Sequence, residues 1–323
     1  MSLWDKVNKP FFVMAPMADV TDLAFRELVA KRGAPSIFWT EFVSADGLYH
    51  MRELQKIPDA ENPLMRDFAF TENQRPIIAQ IFSSKPDMIA YATKVAKELG
   101  FDGVDINMGC PDRSIEKQGA GAGLIKNPEL AVEIIRAAKE ASDLPVSVKT
   151  RIGYNQIELD EWLPKVLSAE PVAVTLHLRT RKEMSLVPAH WDLMQKAVEI
   201  RDRVNPDIFI LGNGDVQDLD DAKAKVEETG CDGIMIGRGM FGNPWVFAGK
   251  KSEDMSLSEK LDALVELAQG FEKLTPAKNF SILKKHIKAF VTGFDGAAEL
   301  RSKLMATNSA FELEQVIQSA YQV

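Results

Sequence analysis

The chain has 323 residues, of which 46% are hydrophobic and 27% are charged, and its formal net charge is −8. This composition is typical of a globular protein and excludes a mostly disordered, collagen-like or coiled-coil chain. No apolar stretch reaches the ~18 residues of a membrane helix, and we see no secretory signal. Two cysteines cannot build a disulfide framework, which favours a reducing compartment, so we expect a cytoplasmic protein. We also expect no membrane partner and no metal. The acidic charge argues against a globally basic nucleic-acid binder and allows a local basic surface.

Eight short apolar segments recur along the first three quarters of the chain, as expected of parallel strands covered on both faces. They lie at residues 11–17, 37–43, 77–82, 103–108, 146–150, 173–179, 208–213 and 233–238. Helical patterns separate them at residues 21–32, 86–99, 128–141, 157–168, 191–203 and 218–229. The alternation predicts an α/β protein, a (β/α)8 TIM barrel. A doubly wound open sheet is the alternative, but its usual Gly-rich first turn is absent from APMADVTD.

The composition changes at residues 248–256, and helical patterns continue beyond them without strands. About four helices fit residues 257–323, and Ser256 and Ser309 each stand three residues before a glutamate, which predicts two capping boxes. We therefore predict a catalytic barrel domain over residues 1–248 and a small all-helical domain over residues 249–323.

Residues able to bind a ligand or to react stand at the C-terminal end of nearly every predicted strand. In a barrel these ends meet at one mouth, where the chemistry gathers. Any one of them could merely cap a helix, but their recurrence favours a binding site. They are Pro16, Met17, Ala18, Glu41, Gln80, Asn107, Cys110, Lys149, Arg151, His177, Arg179, Asn213, Gly214, Asp215, Gly237, Arg238 and Gly239.

Glycine-rich turns follow the last two predicted strands, GNGD at 212–215 and IGRGMFGNP at 236–244. In barrels these two loops often hold a phosphate group, because glycine lets backbone N–H groups approach the anion closely. Arg238 would add positive charge. One such turn is often only a turn, whereas the pair predicts a phosphate-bearing ligand.

Two further strand-end residues have a chemistry of their own. Lys149 ends an apolar strand, where it could stabilise negative charge on an electron-rich ring; the alternative is an ion pair with Glu41 or Asp105. Cys110 lies in NMGCP, before a Gly/Ala-rich stretch that is too long for a simple turn. A thiol with the ordinary pKa of about 8.5 could act as a proton donor or as a nucleophile. We interpret Cys231 as a small core residue.

Longer segments resemble the tRNA-dihydrouridine synthases, flavin enzymes that reduce selected uridines of tRNA. These segments are APMADVTDLAFRELV, TEFVSADGL, DINMGCPDRSIEKQGAGAGLIKNP, VSVKTRIGY, LHLRTR and GNGDVQDLDDAKAKVEETGCDGIMIGRGMFGNPWVF. The segment LKKHIKAFVTGFDGAAELRSKL is similar to the family's C-terminal helical domain. The resemblance implies FMN as the cofactor, NADPH or NADH as the reductant, tRNA as the partner, and a monomer.

The resemblance also implies roles for individual residues. It places Pro16, Met17, Ala18, Gln80, Lys149, His177, Asn213, Gly214, Asp215, Gly237 and Arg238 around FMN, and Asn107, Arg151 and Arg179 toward the tRNA. Lys149 would stabilise the reduced flavin. The implied reaction passes a hydride from flavin N5 to uracil C6, while Cys110 protonates C5.

Three positions depart from the pattern that we expect for the family. Asp19 stands where glycine is common, and Leu178 replaces the glycine of an HGRT-like motif. His190 lies in VPAHW, where G-x-A-D-W is more usual. The last two put the orientation of His177 in question.

The tail carries the basic surface that a tRNA enzyme needs. Residues 273–303 include seven lysines and arginines but only two acidic residues, a local charge of +5. Lys284, Lys285 and Lys288 fall on one predicted helix, and the first and last of them share a face. We expect them to contact tRNA phosphates in a salt-sensitive way; the alternative is a solvated helix face.

Two other functions fit part of this pattern. An FMN-dependent dihydroorotate or dihydropyrimidine dehydrogenase resembles the chain in its asparagine-to-CP motif and strand-end lysine, but has no need of a basic tail. A non-catalytic tRNA-binding chaperone would need no flavin, and the residues at the strand ends would then be unexplained.

Overall fold

The computed structural model describes residues 3–321. Its strands are β1 Phe11–Met14, β2 Phe38–Trp39, β3 Val43–Ser44, β4 Ile77–Phe82, β5 Gly103–Met108, β6 Val146–Arg151, β7 Ala173–His177, β8 Phe209–Asn213 and β9 Gly233–Ile236. Its α-helices are α1 Leu23–Arg32, α2 Ala45–Tyr49, α3 Pro63–Phe68, α4 Pro86–Glu98, α5 Arg113–Glu116, α6 Pro128–Ala141, α7 Leu159–Leu167, α8 Met194–Val204, α9 Leu219–Thr229, α10 Leu257–Glu272, α11 Lys284–Phe290, α12 Ala297–Met305 and α13 Ala310–Tyr321.

The strands form one parallel sheet that closes into a barrel. Their order is β1-β9-β8-β7-β6-β5-β4-β2, and β3 also pairs with β4. Backbone hydrogen bonds from Ser36 to Phe12 (2.9 Å) and from Met14 to Ile37 (3.4 Å) join β1 to the chain entering β2. The predicted TIM barrel is confirmed, and the doubly wound alternative is wrong.

The second predicted strand, residues 37–43, is not continuous. It is divided into β2 and β3, which pair with β4 at Phe38↔Ile77 and Val43↔Ile81. Between them the Thr40 hydroxyl accepts a hydrogen bond from the Gln80 N–H (3.1 Å), taking the place of a main-chain acceptor. The sheet ladder is therefore interrupted at this point.

Strands β1, β7 and β9 end two or three residues earlier than predicted, at Met14, His177 and Ile236. The residues that follow them form loops at the mouth of the barrel. The six predicted helices between strands are confirmed to within three residues, and the four predicted helices after residue 257 are present as α10 to α13.

Local capping accounts for several helix starts. The Asn127 side chain accepts from the Leu130 N–H ahead of α6. Ser256 and Glu259 form the predicted reciprocal capping box of α10. At α13 the second predicted box is only half right: Ser309 accepts from the Glu312 N–H (3.1 Å), but the Glu312 carboxylate accepts from Asn308 (2.7 Å).

The C-terminal helices pack on the side of the barrel next to α1. One apolar cluster contains Phe25 and Leu28 of α1 together with Leu264 of α10 and Phe290 of α11. The domain division at residue 248 stays a prediction. Within residues 3–321, no helix is long and apolar enough to cross a bilayer.

Because this shared core is close-packed, Leu264→Ala should lower the free energy of unfolding by about 2–5 kcal/mol. Leu264 is fully buried, so the substitution leaves a cavity. Urea denaturation followed by circular dichroism measures the change. Leu54→Ala, at a side chain that is 62% exposed, is the control and should change stability by less than about 0.5 kcal/mol. Equal effects of the two substitutions would contradict this packing.

Candidate active site

The strand ends surround a cavity of about 220 Å³ at the mouth of the barrel. Five of them contribute to it, those of β1, β6, β7, β8 and β9. Its lining includes Pro16, Met17, Lys149, His177, Arg179, Asn213, Gly214, Asp215, Gly237 and Arg238. The structure therefore brings together most of the residues that sequence analysis expected around the cofactor.

Two arginines and one aspartate lie near the loops after β8 and β9, where the sequence predicts a phosphate group. Asp215 accepts hydrogen bonds from both Arg179 and Arg238, and the bond to Arg179 holds the pKa of the Asp215 carboxyl below its usual range. Arg179 is 2% exposed, whereas Arg238 is 60% exposed and can reach a ligand in the mouth. The family resemblance implied that Arg179 faces the tRNA; in the structure it lies beside His177 and Asp215.

His177 is a neutral imidazole in this arrangement. Burial, followed by the positive charge of Lys149, lowers the pKa of His177 well below its ordinary value. Arg179 has no acceptor atom, so its contact with His177 Nε2 (3.1 Å) makes that nitrogen the acceptor and leaves the proton on Nδ1. A ligand in the cavity therefore meets an uncharged ring.

The turn after β8 packs closely against the loop after β7 and lines the cavity. Gly214 has φ +127°, and a Cβ there would lie 2.8 Å from the Ala189 Cβ, so only glycine fits. Asn213 donates to the Met235 carbonyl (2.8 Å), and Trp191 donates to the Gly214 carbonyl (2.8 Å).

A second group of predicted residues lies on β4 and β5, linked by side-chain hydrogen bonds. Gln80 donates to the buried Asp105 (2.7 Å), which also accepts from Ser147 (2.6 Å). Asn107 donates to the Gln80 carbonyl oxygen (3.2 Å), and its own oxygen accepts from the Cys110 N–H (2.9 Å). The network fixes which way both amides face. Burial raises the pKa of Asp105 to about 6.

Cys110 is half-buried at the start of a structured loop. Burial raises the pKa of its thiol. Gly121, with φ +58°, folds the loop back so closely that a Cβ there would lie 2.7 Å from the Cys110 carbonyl oxygen. The thiol is thus held in place and protonated at neutral pH.

Lys149 connects the two groups. It lines the cavity, and in the sheet register it is paired with Asn107 of the neighbouring strand. Burial, and then the charge of Arg151, lowers the pKa of Lys149 to about 8. Among the described residues no carboxylate lies within 4 Å of its ammonium group; Glu41 pairs with Lys278 instead (2.7 Å). The ion pair considered as its alternative role is therefore absent.

Arg151 is engaged by the protein itself. Its guanidinium is buried and donates to the carbonyls of Gly109 (2.8 Å), Thr180 (3.1 Å) and Met184 (2.9 Å). Burial lowers its pKa to about 10. It holds the Cys110 loop against the loop after β7, so its predicted contact with uracil stays a prediction.

Comparison with known proteins identifies the family of this chain. The sequence profile of "Dihydrouridine synthase (Dus)" matches residues 13–323. The chain belongs to the dihydrouridine synthase family. It is 41% identical over 320 residues to "Probable tRNA-dihydrouridine synthase 2" of Bacillus subtilis, covering 98% of this chain and 95% of the relative. It is 38% identical to "Probable tRNA-dihydrouridine synthase" of Staphylococcus aureus, covering 98% and 94%. The resemblance proposed from sequence is confirmed.

A solved structure entitled "Morphinone reductase" shares the barrel fold, with a TM-score of 0.51 and 12% identity, covering 77% of this chain and 87% of that one. At this identity the likeness concerns the fold alone.

Two of the departures from the dihydrouridine synthase pattern are absorbed by local structure. Leu178 is fully buried, and its backbone N–H donates to Asn213 (3.0 Å) while its carbonyl accepts from His190 (2.7 Å). The His190 ring contacts Glu183 (2.9 Å) within the loop after β7. Neither residue forms a hydrogen bond with the His177 ring, which is hydrogen-bonded to Arg179.

The third departure belongs to a charge cluster that sequence analysis missed. Asp19 has φ +56°, which explains why glycine suits this position. Its backbone N–H donates to Glu41, whose other oxygen accepts from Lys278. The signals were a lone glutamate in the apolar segment IFWTEFV and a lysine among apolar and turn residues.

The C-terminal lysines fall into two kinds. Lys284, Lys285 and Lys288 lie on α11, as predicted, and the last two are exposed. Lys278 was counted in the same basic cluster, but its side chain is only 4% exposed. It is paired with carboxylates and closed to an RNA phosphate, so it does not contribute to the exposed basic surface.

The raised pKa of Cys110 predicts its reactivity with iodoacetamide, which attacks only the thiolate. Because the folded protein keeps the proton on beyond the ordinary pKa, the alkylation rate should still be rising above about pH 8.5. Mass spectrometry of quenched samples follows the reaction. Cys110→Ser should abolish fast labelling, since Cys231 is buried. A rate that levels off below pH 8 would contradict the burial effect.

Proposed function

We propose that this chain is a tRNA-dihydrouridine synthase that uses FMN, with NADPH or NADH as reductant, to reduce the C5–C6 double bond of specific uridines in tRNA. The observation that carries the proposal is the position of Lys149. It lines a cavity suited to a phosphate-bearing ring cofactor, and its partner in the sheet register, Asn107, accepts a hydrogen bond from the backbone of a protonated cysteine. The names of the family and of its relatives support the substrate.

The residues of the cavity fit FMN by their chemistry. The exposed Arg238 and the glycines that line the cavity, Gly214 and Gly237, suit a phosphate, and Lys149 suits the electron-rich end of a flavin. Pro16 and Met17 form the wall on the β1 side. The bound flavin would supply a hydride to C6 of the uracil, after its own reduction by the nicotinamide nucleotide. Ala18 and Gln80 are proposed to contact the same cofactor.

Cys110 completes the reduction as the general acid. Addition of a hydride at C6 leaves a negative charge that is shared by C5 and the adjoining carbonyl oxygen of the uracil. The Cys110 thiol gives its proton to C5, and the C5–H bond forms as the S–H bond breaks. The thiolate that remains regains a proton from water. A raised thiol pKa suits this role because the acid is present in its protonated form at neutral pH.

The other residues hold charge and geometry. Lys149, with a pKa of about 8, is mostly cationic at neutral pH and stabilises negative charge in the cavity. Asn107 holds the Cys110 backbone N–H and is proposed to face the uracil together with Arg151. The uridine must leave its stack to enter the mouth, which costs a few kcal/mol. Contacts between α11 and other parts of the tRNA offset that cost. The proposed location of the protein is the cytoplasm.

Loss of the Cys110 thiol should slow the reaction with tRNA. Protein reduced with NADPH under anaerobic conditions should be reoxidised rapidly by an unmodified tRNA transcript, with dihydrouridine formed. Cys110→Ala should lower that rate by about 100-fold or more, because one positioned proton donor contributes roughly 10²–10⁴. Stopped-flow absorbance of the flavin measures it. The matched control Cys231→Ala removes the other thiol and should leave the rate unchanged.

Reoxidation by orotate or free uracil, and not by tRNA, would instead identify a free-base dehydrogenase. A protein that takes up no flavin and still binds tRNA would favour the non-catalytic chaperone.

The exposed surface of α11 should matter for tRNA binding. Reversal of Lys284, Lys285 and Lys288 to glutamate should weaken tRNA binding and reduce its salt dependence, because contacts with phosphates release counterions. NADPH oxidation should remain intact when FMN is saturating, since α11 does not line the cavity; the excess of FMN offsets any effect of Lys285, which contacts Asp19 in the loop after β1 (3.5 Å). Filter binding at several salt concentrations measures the effect.

Three exposed lysines on the outer helices α4 and α9, Lys94, Lys97 and Lys223, provide a control with the same change of charge. Their reversal should have a much smaller effect. Unchanged tRNA affinity in the α11 variant would refute the assignment of that surface.

A further inference from the structure

The Glu41 carboxylate joins two parts of the chain that are far apart in sequence. Its Oε1 atom accepts a hydrogen bond from the backbone N–H of Asp19, in the loop after β1. Its Oε2 atom accepts from Lys278 Nζ at 2.7 Å, and Lys278 precedes α11 in the C-terminal helical region. One carboxylate therefore connects that region to the loop at the mouth of the barrel.

This connection is buried and surrounded by further charges. The side chains of Lys278 and Glu41 are 4% and 6% exposed. The Lys278 ammonium also lies 3.5 Å from Asp67 of α3 and 3.9 Å from Asp19. Asp22 and Arg26 face the same cluster from the start of α1. In so dry a place, removing one partner leaves the other charge uncompensated.

The loop that Glu41 holds is part of the cavity wall. Ala15, Pro16 and Met17 line the cavity, and Asp19 stands two residues after Met17. Met17 is tied back to the Thr21 hydroxyl (2.9 Å). Asp19 adopts φ +56°, a conformation that costs a residue other than glycine free energy and persists only where neighbouring contacts enforce it. The bond to Glu41 is such a contact.

We propose that Lys278, acting through Glu41, is a positioning residue that holds the loop of Pro16 and Met17 in the shape that binds FMN. The C-terminal region then contributes to the affinity for the cofactor, although its helices do not line the cavity. This inference rests on the proposed function, because it requires that the cavity bind FMN.

The test measures FMN affinity directly, by titrating the flavin-free full-length protein and following the quenching of flavin fluorescence. Lys278→Met should raise the Kd for FMN by about tenfold or more. Glu41→Gln should weaken binding in the same direction. Lys273→Met, at an exposed lysine five residues away, is the control and should leave the Kd unchanged.

A double-mutant cycle separates positioning from general damage to the fold. Because the two side chains act as one link, the double variant Glu41→Gln/Lys278→Met should bind FMN no more weakly than the weaker single variant. Circular dichroism and thermal unfolding establish that each flavin-free variant is folded. The titrations are carried out well below the melting temperature of the variant. If Lys278→Met alone does not fold, Glu41→Gln and the double variant carry the test.

The outcomes are distinct. Wild-type affinity in folded Lys278→Met, or in folded Glu41→Gln if the former does not fold, overturns the positioning role and leaves the proposed function intact. Independent, multiplicative losses in the double variant also overturn it. A wild-type protein that binds no FMN overturns the proposed function and this role together.

Discussion

The parallel direction of the barrel strands is the constraint on which the rest of this protein depends. Because every strand points the same way, residues from Pro16 to Arg238 reach one mouth although more than two hundred positions separate them in sequence. The register makes this concrete: Asn107 is paired with Lys149, Arg151 with His177, and His177 with Asn213. Each strand adds one functional group beside its neighbour's, and the closure of β1 on β9 completes the ring.

Burial at that mouth gives the groups their chemistry. The same loss of water raises the pKa of the Cys110 thiol and lowers those of Lys149 and His177. An acid that keeps its proton, a cation that is retained at neutral pH and an uncharged imidazole then stand within one site. The hydrogen-bonded series from Ser147 through Asp105, Gln80 and Asn107 ends at the Cys110 backbone and fixes its orientation. Protonation state and geometry thus have a common origin in the closed barrel.

Charge in the C-terminal region illustrates how burial divides residues of one type. Lys278 and Lys288 are lysines of the same basic segment, yet the first is enclosed by Glu41, Asp67 and Asp19 while the second is open to solvent. An exposed ammonium group is available to an RNA phosphate. An enclosed one joins the helices to the barrel.

The sequence by itself determined the elements of this protein and most of its site. Apolar runs between helical patterns predicted the barrel, and Ser256 marked a helix start, because periodicity and capping act over a few residues. Strand-end positions predicted the cavity lining, because parallel topology fixes where those ends lie. Tertiary structure alone decided which residues contact each other across the chain. The split at Thr40, the pairing of Arg179 with Asp215 across 36 positions and of Lys278 with Glu41 across 237 arise from contacts between distant segments. No local pattern encodes such contacts, since each depends on the packing that brings the two segments together and removes water from between them.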